Sequence, residues 1–190
     1  ISGGEFKHAS DTQEMIVDHY DETNKGNAVV TGGKFDADIS KYIPTDYVQS
    51  ADGTVEKLGE TNAVAKVGGT YYKTLADAVA AAQDGDTITL LKDAELTSTL
   101  NLAKNITIDG QGKYTIKAAN SFTVGSDNKT YCVLYVSGEV TLKDVTVNGN
   151  EKCRVIFCDK GKLTIDGATI TNGKAPNFIG GVYMTSSLLS

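Results

Sequence analysis

Three aspartates that follow short apolar strands are the residues best placed for acid–base or metal chemistry. They are Asp109 in Ile106-Thr-Ile-Asp-Gly, Asp144 in Leu142-Lys-Asp-Val and Asp166 in Leu163-Thr-Ile-Asp-Gly. Clustered carboxylates can hold calcium, and neighbouring ones can share acid and base roles at a glycosidic bond. The repeats put Asp109 and Asp166 at equivalent turns, so the two would stack if the intervening strands allow it. Asp-Gly is, however, first a backbone solution to a turn, with the aspartate capping its own loop, and the sequence favours that reading. Arg154, the single arginine of the chain, is the one candidate for an arginine base, and it adjoins Cys153 with no set of acidic partners nearby. His8 and His19 have no cysteine close enough for the usual zinc spacing. The sequence therefore predicts no catalytic residues, no metal site and no cofactor.

The remaining polar chemistry points the same way. The chain of 190 residues carries 24 acidic and 18 basic side chains, a net charge of -6. Such a balance lacks the cationic face that phosphate backbones require, so nucleic acid is not an expected partner. No apolar run reaches the roughly 18 residues of a membrane span, and no signal peptide opens the chain; any export signal or anchor is expected to lie outside these residues. Cys132, Cys153 and Cys158 allow at most one intramolecular disulfide, or three buried thiols acting as small hydrophobes. Nine tyrosines and no tryptophan leave Tyr71, Tyr72, Tyr131 and Tyr135 as candidate flat contacts for sugars or proteins.

These side chains are positioned by a repeat. Val140-Thr-Leu-Lys-Asp-Val-Thr-Val-Asn-Gly and Leu163-Thr-Ile-Asp-Gly-Ala-Thr-Ile-Thr-Asn-Gly align at an offset of 23 residues, with an earlier copy at Ile106-Thr-Ile-Asp-Gly. Short strands in like register, joined by loops of varied length, favour a solenoid over a sandwich of hairpins. Alternation predicts Ile106, Ile108, Val140, Leu142, Val145, Val147, Leu163, Ile165 and Ile170 inside. Thr87, Thr89, Thr107, Thr141, Thr146, Thr164 and Thr169 are predicted outside in columns. Thr74 to Gly85 reads as a short helix, with Thr74 as cap, Asp77 completing a capping box and Asp84-Gly85 as its end. That helix is expected to form a lid over the first coil. Gly181 to Met184 reads as the start of another strand with nothing to cap it, which predicts either continuation of the chain or a partner over that end.

Upstream, Ile1-Ser-Gly-Gly-Glu-Phe and Val30-Thr-Gly-Gly-Lys-Phe form a second repeat. Ser10 to Gln13 starts a short helical insertion between the copies. Asp38 to Pro44 predicts a helical turn stopped by proline, and Tyr47 to Lys57 a hairpin turning at Asp52-Gly53. The expected organisation is residues 1–60 as the C-terminal end of one β-solenoid-like module, and residues 61–190 as the N-terminal cap and first coils of another. The fold class is all-β, a right-handed parallel β-helix (β-solenoid) with a short capping helix.

Ala63-Val-Ala-Lys-Val-Gly-Gly-Thr-Tyr-Tyr-Lys-Thr-Leu-Ala-Asp-Ala-Val and the following Asp86-Thr-Ile-Thr-Leu-Leu resemble the opening of pectate-lyase-like β-helix modules in large surface proteins of gut Firmicutes. Thr31-Gly-Gly-Lys-Phe-Asp-Ala-Asp-Ile-Ser-Lys-Tyr-Ile is similar to their closing segment. The resemblance implies export and cell-wall attachment beside other modules of a parent chain. It implies nothing specific about activity, since this fold carries lyases, adhesins and inert stalks. The leading expectation is a non-catalytic adhesin-like module that binds a host glycoprotein, mucin or immunoglobulin. A passive stalk and a fragment of a carbohydrate-active enzyme are the alternatives. The expected binding region is the insertion, through Ser10, Gln13, Glu14, His19 and Tyr20, because loops leaving a regular scaffold often carry contacts.

Overall fold

The computed structural model describes residues 1–7, 28–175 and 179–185. It is mostly β, with one short α-helix. The chain divides into two compact units, Ile1–Asn62 and Ala63–Ser190.

In the first unit, β1 (Ser2–Phe6) and β2 (Gly32–Phe35) are the two copies of the Gly-Gly-x-Phe repeat, and they pair in parallel. The repeat brings Phe6 opposite Phe35, whose rings stack at 4.7 Å between centroids. A 3-10 turn over Ser40–Tyr42 precedes Pro44. The hairpin of β3 (Tyr47–Gln49) and β4 (Thr54–Lys57) then adds antiparallel strands to β2. Gly53 turns that hairpin at φ +88, and a Cβ there would lie 2.0 Å from the Phe35 carbonyl oxygen. Val30, Phe35, Ile39 and Val55 form the core of this unit. The predicted helix from Ser10 lies outside the described residues, as do His8 and His19.

The second unit opens with an antiparallel hairpin, β5 (Ala65–Val67) and β6 (Thr70–Tyr72), followed by α1 (Leu75–Ala81). Thr74 caps α1 by accepting from the Asp77 N–H at 3.0 Å. The capping box differs from expectation: the Asp77 carboxylate accepts from the Thr74 hydroxyl at 2.7 Å. The helix also ends at Ala81, with Ala82 as its C-cap, short of Asp84-Gly85. The Lys104 ammonium donates to the carbonyls of Val79, Ala80 and Ala82, satisfying the last turn with a cation where the helix dipole favours one.

Twelve further strands follow in threes. The first ladder holds β7 (Thr87–Leu90), β10 (Ile106–Asp109), β13 (Glu139–Lys143) and β16 (Lys162–Asp166). The second holds β8 (Ala94–Leu96), β11 (Thr115–Ala118), β14 (Thr146–Asn148) and β17 (Thr169–Thr171). The third holds β9 (Leu100–Leu102), β12 (Cys132–Val136), β15 (Arg154–Asp159) and β18 (Val182–Thr185). Each strand pairs in parallel with the strand three positions later in the chain. The 23-residue offset is the register itself, with Val140 opposite Leu163 and Thr146 opposite Thr169.

The edge of β7 is covered by β5, which pairs with it antiparallel. Leu75, Ala78, Val79 and Ala82 of the helical segment join the apolar core. The covering of the first strand is thus divided: the hairpin satisfies its edge, and the helix covers the apolar interior. Ile106, Ile108, Val140, Leu142, Val145 and Val147 are buried as expected. Ile165 departs from expectation at 46% exposed, and Leu163 and Ile170 are only half-buried. Their ladders end at β16 and β17, so no later strand covers them.

Candidate functional site

The aspartates come together at the corner between the first and second ladders, but not as a carboxylate pair. Asp109 stands opposite Lys143, and Leu142 stands opposite Ile165, so Lys143 occupies the step between Asp109 and Asp166. The Lys143 ammonium bonds the Asp109 carboxylate at 3.2 Å. That hydrogen bond and charge, with the charges of Asp144 and Asp166 behind them, hold Lys143 above its ordinary pKa. Asp144 itself adopts φ +46, and its carboxylate closes on the space beside Gly167. Asp109 also accepts from the Gln111 N–H at 2.7 Å, capping its own turn. Among the described residues, no group of three or more His, Cys, Asp or Glu could hold a metal ion.

Arg154 is in the third ladder and is 2% exposed. Its Nε donates to the Ile179 carbonyl at 3.0 Å, and a terminal nitrogen reaches the Asn128 side-chain oxygen at 3.5 Å. The guanidinium lies 4.8 Å from the Tyr183 ring centroid and 5.7 Å from that of Phe157. The candidate base is a buried structural cation.

The rings of Tyr135, Phe157 and Tyr183 stack along the third ladder, at 5.8 and 5.4 Å between centroids. Their faces are therefore turned to one another. Tyr135 and Thr185 donate to Asp159, and these bonds, led by that from Thr185, hold its carboxyl below the usual range. The sequence reading singled out Tyr135 alone. The signal was the paired spacing, Tyr135 to Phe157 and Phe157 to Tyr183, obscured by unequal loops. Tyr71 and Tyr72 fall on β6, and Tyr131 packs against the core.

All three cysteines are free and buried. Burial pushes the Cys132 thiol up to about 12 and Cys153 up to about 11, and raises Cys158 as well. At pH 8 none of them is expected to react with a thiol-specific disulfide reagent in the folded chain, whereas all three react in denaturant. Because burial raises each thiol above the ordinary value of 9.0, the associated stability is fully present below pH 9.0. It is lost as pH rises toward the folded values of Cys153 and Cys132, about 11 and about 12. Rapid reaction of any thiol in native protein at pH 8 contradicts the burial.

The outward threonines divide between ladders. Thr87, Thr107, Thr141 and Thr164 stand in register along the first; Thr115, Thr146 and Thr169 do so along the second. Beside the first column lies a shallow depression of about 150 Å3, where Asn105, Thr107, Glu139, Thr141, Lys162 and Thr164 provide the polar lining. Lys162 and Glu139 pair across it at 3.6 Å. Hydroxyls, an amide and one ion pair can donate and accept hydrogen bonds there. The expected binding residues Ser10, Gln13, Glu14, His19 and Tyr20 lie outside the described residues.

Comparison of the chain with protein-family models, with curated proteins and with solved structures finds no match. Among the described residues no helix is long and apolar enough to cross a membrane.

Proposed function

We propose that this chain is a non-catalytic binding module of a large exported bacterial surface protein, contacting the glycans of host glycoproteins such as mucin or immunoglobulin. In this reading residues 63–190 form a right-handed parallel β-helix of the pectate-lyase-like type, and residues 1–62 end a preceding module. The observation that carries it is the depression beside the Thr107, Thr141 and Thr164 column, whose neutral hydroxyls and amide suit a polyhydroxylated ligand. The engagement of Asp109 by Lys143 argues against an enzymatic reading through Asp109 and Asp166, since a cation stands in the step between those two carboxylates. The stalk reading is favoured by the ring stack of Tyr135, Phe157 and Tyr183, which uses aromatic faces for contacts between strands.

Calorimetry against mucin glycopeptides and secretory immunoglobulin tests the proposal. The unaltered chain is expected to bind saturably, and Thr141→Arg, which fills the depression, to weaken binding at least about tenfold. A chain with residues 10–20 replaced by a Gly/Ser linker is expected to bind normally. Loss of binding in the linker variant alone would move the site to Ser10–Tyr20, and absence of binding across the panel would leave the stalk.

A further inference from the structure

The three cysteines lie on two neighbouring strands of the third ladder, and the register decides which of them can meet. Cys132 opens β12, Cys153 immediately precedes β15, and Cys158 lies within β15. Cys132 stands opposite Arg154, which puts Cys153 one residue off the step. With strands about 4.8 Å apart and a rise of about 3.3 Å per residue, the Cα atoms of Cys132 and Cys153 are about 6 Å apart. A disulfide spans about 4.4–6.8 Å between Cα atoms. Cys158 stands opposite Val136, further along β12; the same spacing puts it about 14 Å from Cys132 and about 16 Å from Cys153. Only one of the three pairings is within reach. Alternation along a strand turns successive side chains to opposite faces, but Cys153 is not bound by it. It sits at a bend outside β15, after Asn150 and Glu151 in the left-handed region at φ +49 and +54. Against the dominant effect of burial, the Arg154 charge lowers both thiols, and Cys153 adds to the rise at Cys132. The three groups therefore lie within electrostatic reach of one another.

We propose that Cys132 and Cys153 join as a disulfide when the chain folds under oxidising conditions, leaving Cys158 as a thiol. The oxidant is a small-molecule disulfide such as glutathione disulfide. The thiolate of one cysteine attacks it and expels one small thiolate; the thiolate of the other attacks the mixed disulfide and expels the second. One S–S bond breaks and one forms, the two electrons pass to the small disulfide, and the protons of the two cysteines end on the two small thiols. In the reduced folded chain, burial keeps both thiols protonated and out of reach. The exchange therefore belongs to the folding chain, and its redox state is set before the third ladder closes. The bond fastens the residue beside Arg154 to the end of the segment that carries Asn128, a segment the guanidinium holds only through a hydrogen bond of 3.5 Å. The proposal does not rest on the glycan site.

Thiol mapping on the whole chain decides it. Reduced chain is refolded from denaturant at about pH 8 in a buffer of glutathione and glutathione disulfide, alkylated with iodoacetamide in denaturant, and mapped by mass spectrometry without reduction. One alkylated thiol, Cys158, is expected, with one pair of peptides joined through Cys132 and Cys153. The bridged chain is expected to melt about 5–10 °C above the same chain after reduction. Cys158→Ser is expected to keep the bridge and leave no thiol, whereas Cys132→Ser and Cys153→Ser each leave two thiols and no rise in Tm. Far-UV circular dichroism checks that each has folded. If the reduced chain does not refold in this buffer, the same mapping is made on chain folded during export into an oxidising bacterial periplasm. Folded chain with three alkylated thiols overturns the proposal. So does a bridge through Cys158, or a Cys132–Cys153 bridge that lowers the Tm.

Discussion

Replacing Arg154 by alanine is expected to lower the unfolding free energy by about 3 kcal/mol, a fall of roughly 10 °C in Tm. The side chain is 2% exposed, so its removal leaves a void. The Ile179 carbonyl loses its donor at 3.0 Å, and the Phe157 and Tyr183 rings lose the cation against which they pack. The void left by a large buried side chain and the loss of a desolvated cation–π contact, about 2 kcal/mol, make up most of the effect, since Ile179 is itself 56% exposed and its carbonyl can turn to water. Arg154→Met refills much of the volume and is expected to recover part of the loss; Arg154→Lys keeps the charge but not the planar group. Urea titration followed by tyrosine fluorescence measures all three. An alanine variant within about 1 kcal/mol of the unaltered chain would show that the guanidinium is not holding the segments around Asn128 and Ile179.

Arg154 also shows why part of this structure was hard to read from sequence. Its partners, Asn128, Ile179 and Tyr183, come from loops and a strand about 25 residues away in both directions. Nothing in Cys153-Arg-Val-Ile-Phe-Cys announces them. The first two ladders were legible because their strands alternate apolar residues with threonine and are closed by Asp-Gly or Asn-Gly, so Val140 and Leu163, or Thr146 and Thr169, could be aligned by eye. The third ladder lacks that alternation. Val133 and Val155 are as buried as Leu134 and Ile156, giving continuous apolar runs in which neither face is marked by polarity. The ring stack of Tyr135, Phe157 and Tyr183 was hidden for the same reason.

The aspartate corner was half legible. Equivalence of Asp109 and Asp166 followed from the repeated Ile-Asp-Gly, but the charge between them depends on Lys143 standing where the other two copies have aspartate. One side chain in the middle copy converts two like charges into an alternating column. The depression beside the threonines could not be foreseen, because Asn105 enters it from the loop before β10, and Glu139 and Lys162 from first strand positions that precede the aligned Val140 and Leu163. Asn105 is fixed there by the Glu139 N–H, which donates to its side-chain oxygen at 3.0 Å.

The same corner carries the second large effect. Gly110→Ala is expected to destabilise the chain by about 3 kcal/mol, while Gly112→Ala, two residues away, costs only about 1 kcal/mol. A Cβ on Gly110 would lie 2.6 Å from the Val145 Cα and Cβ and 2.7 Å from the Asp144 carbonyl oxygen. Those atoms cannot retreat independently, because the Gly110 N–H donates to the Lys143 carbonyl at 2.9 Å and the Gly112 N–H to the Asp144 carbonyl at 2.7 Å. The turn after β10 is thus tied against the turn after β13, and moving it would also pull Asp109 from Lys143. Gly112 meets nothing within 4 Å, and only its φ of +66 opposes a side chain. The pair of variants therefore separates close approach from backbone conformation within one turn. If thermal or urea unfolding gives the two equal losses, contact between successive turns is not what requires glycine here. If Gly110→Ala is much the worse, the repeated Asp-Gly is a packing rule of the ladder as well as a turn signal.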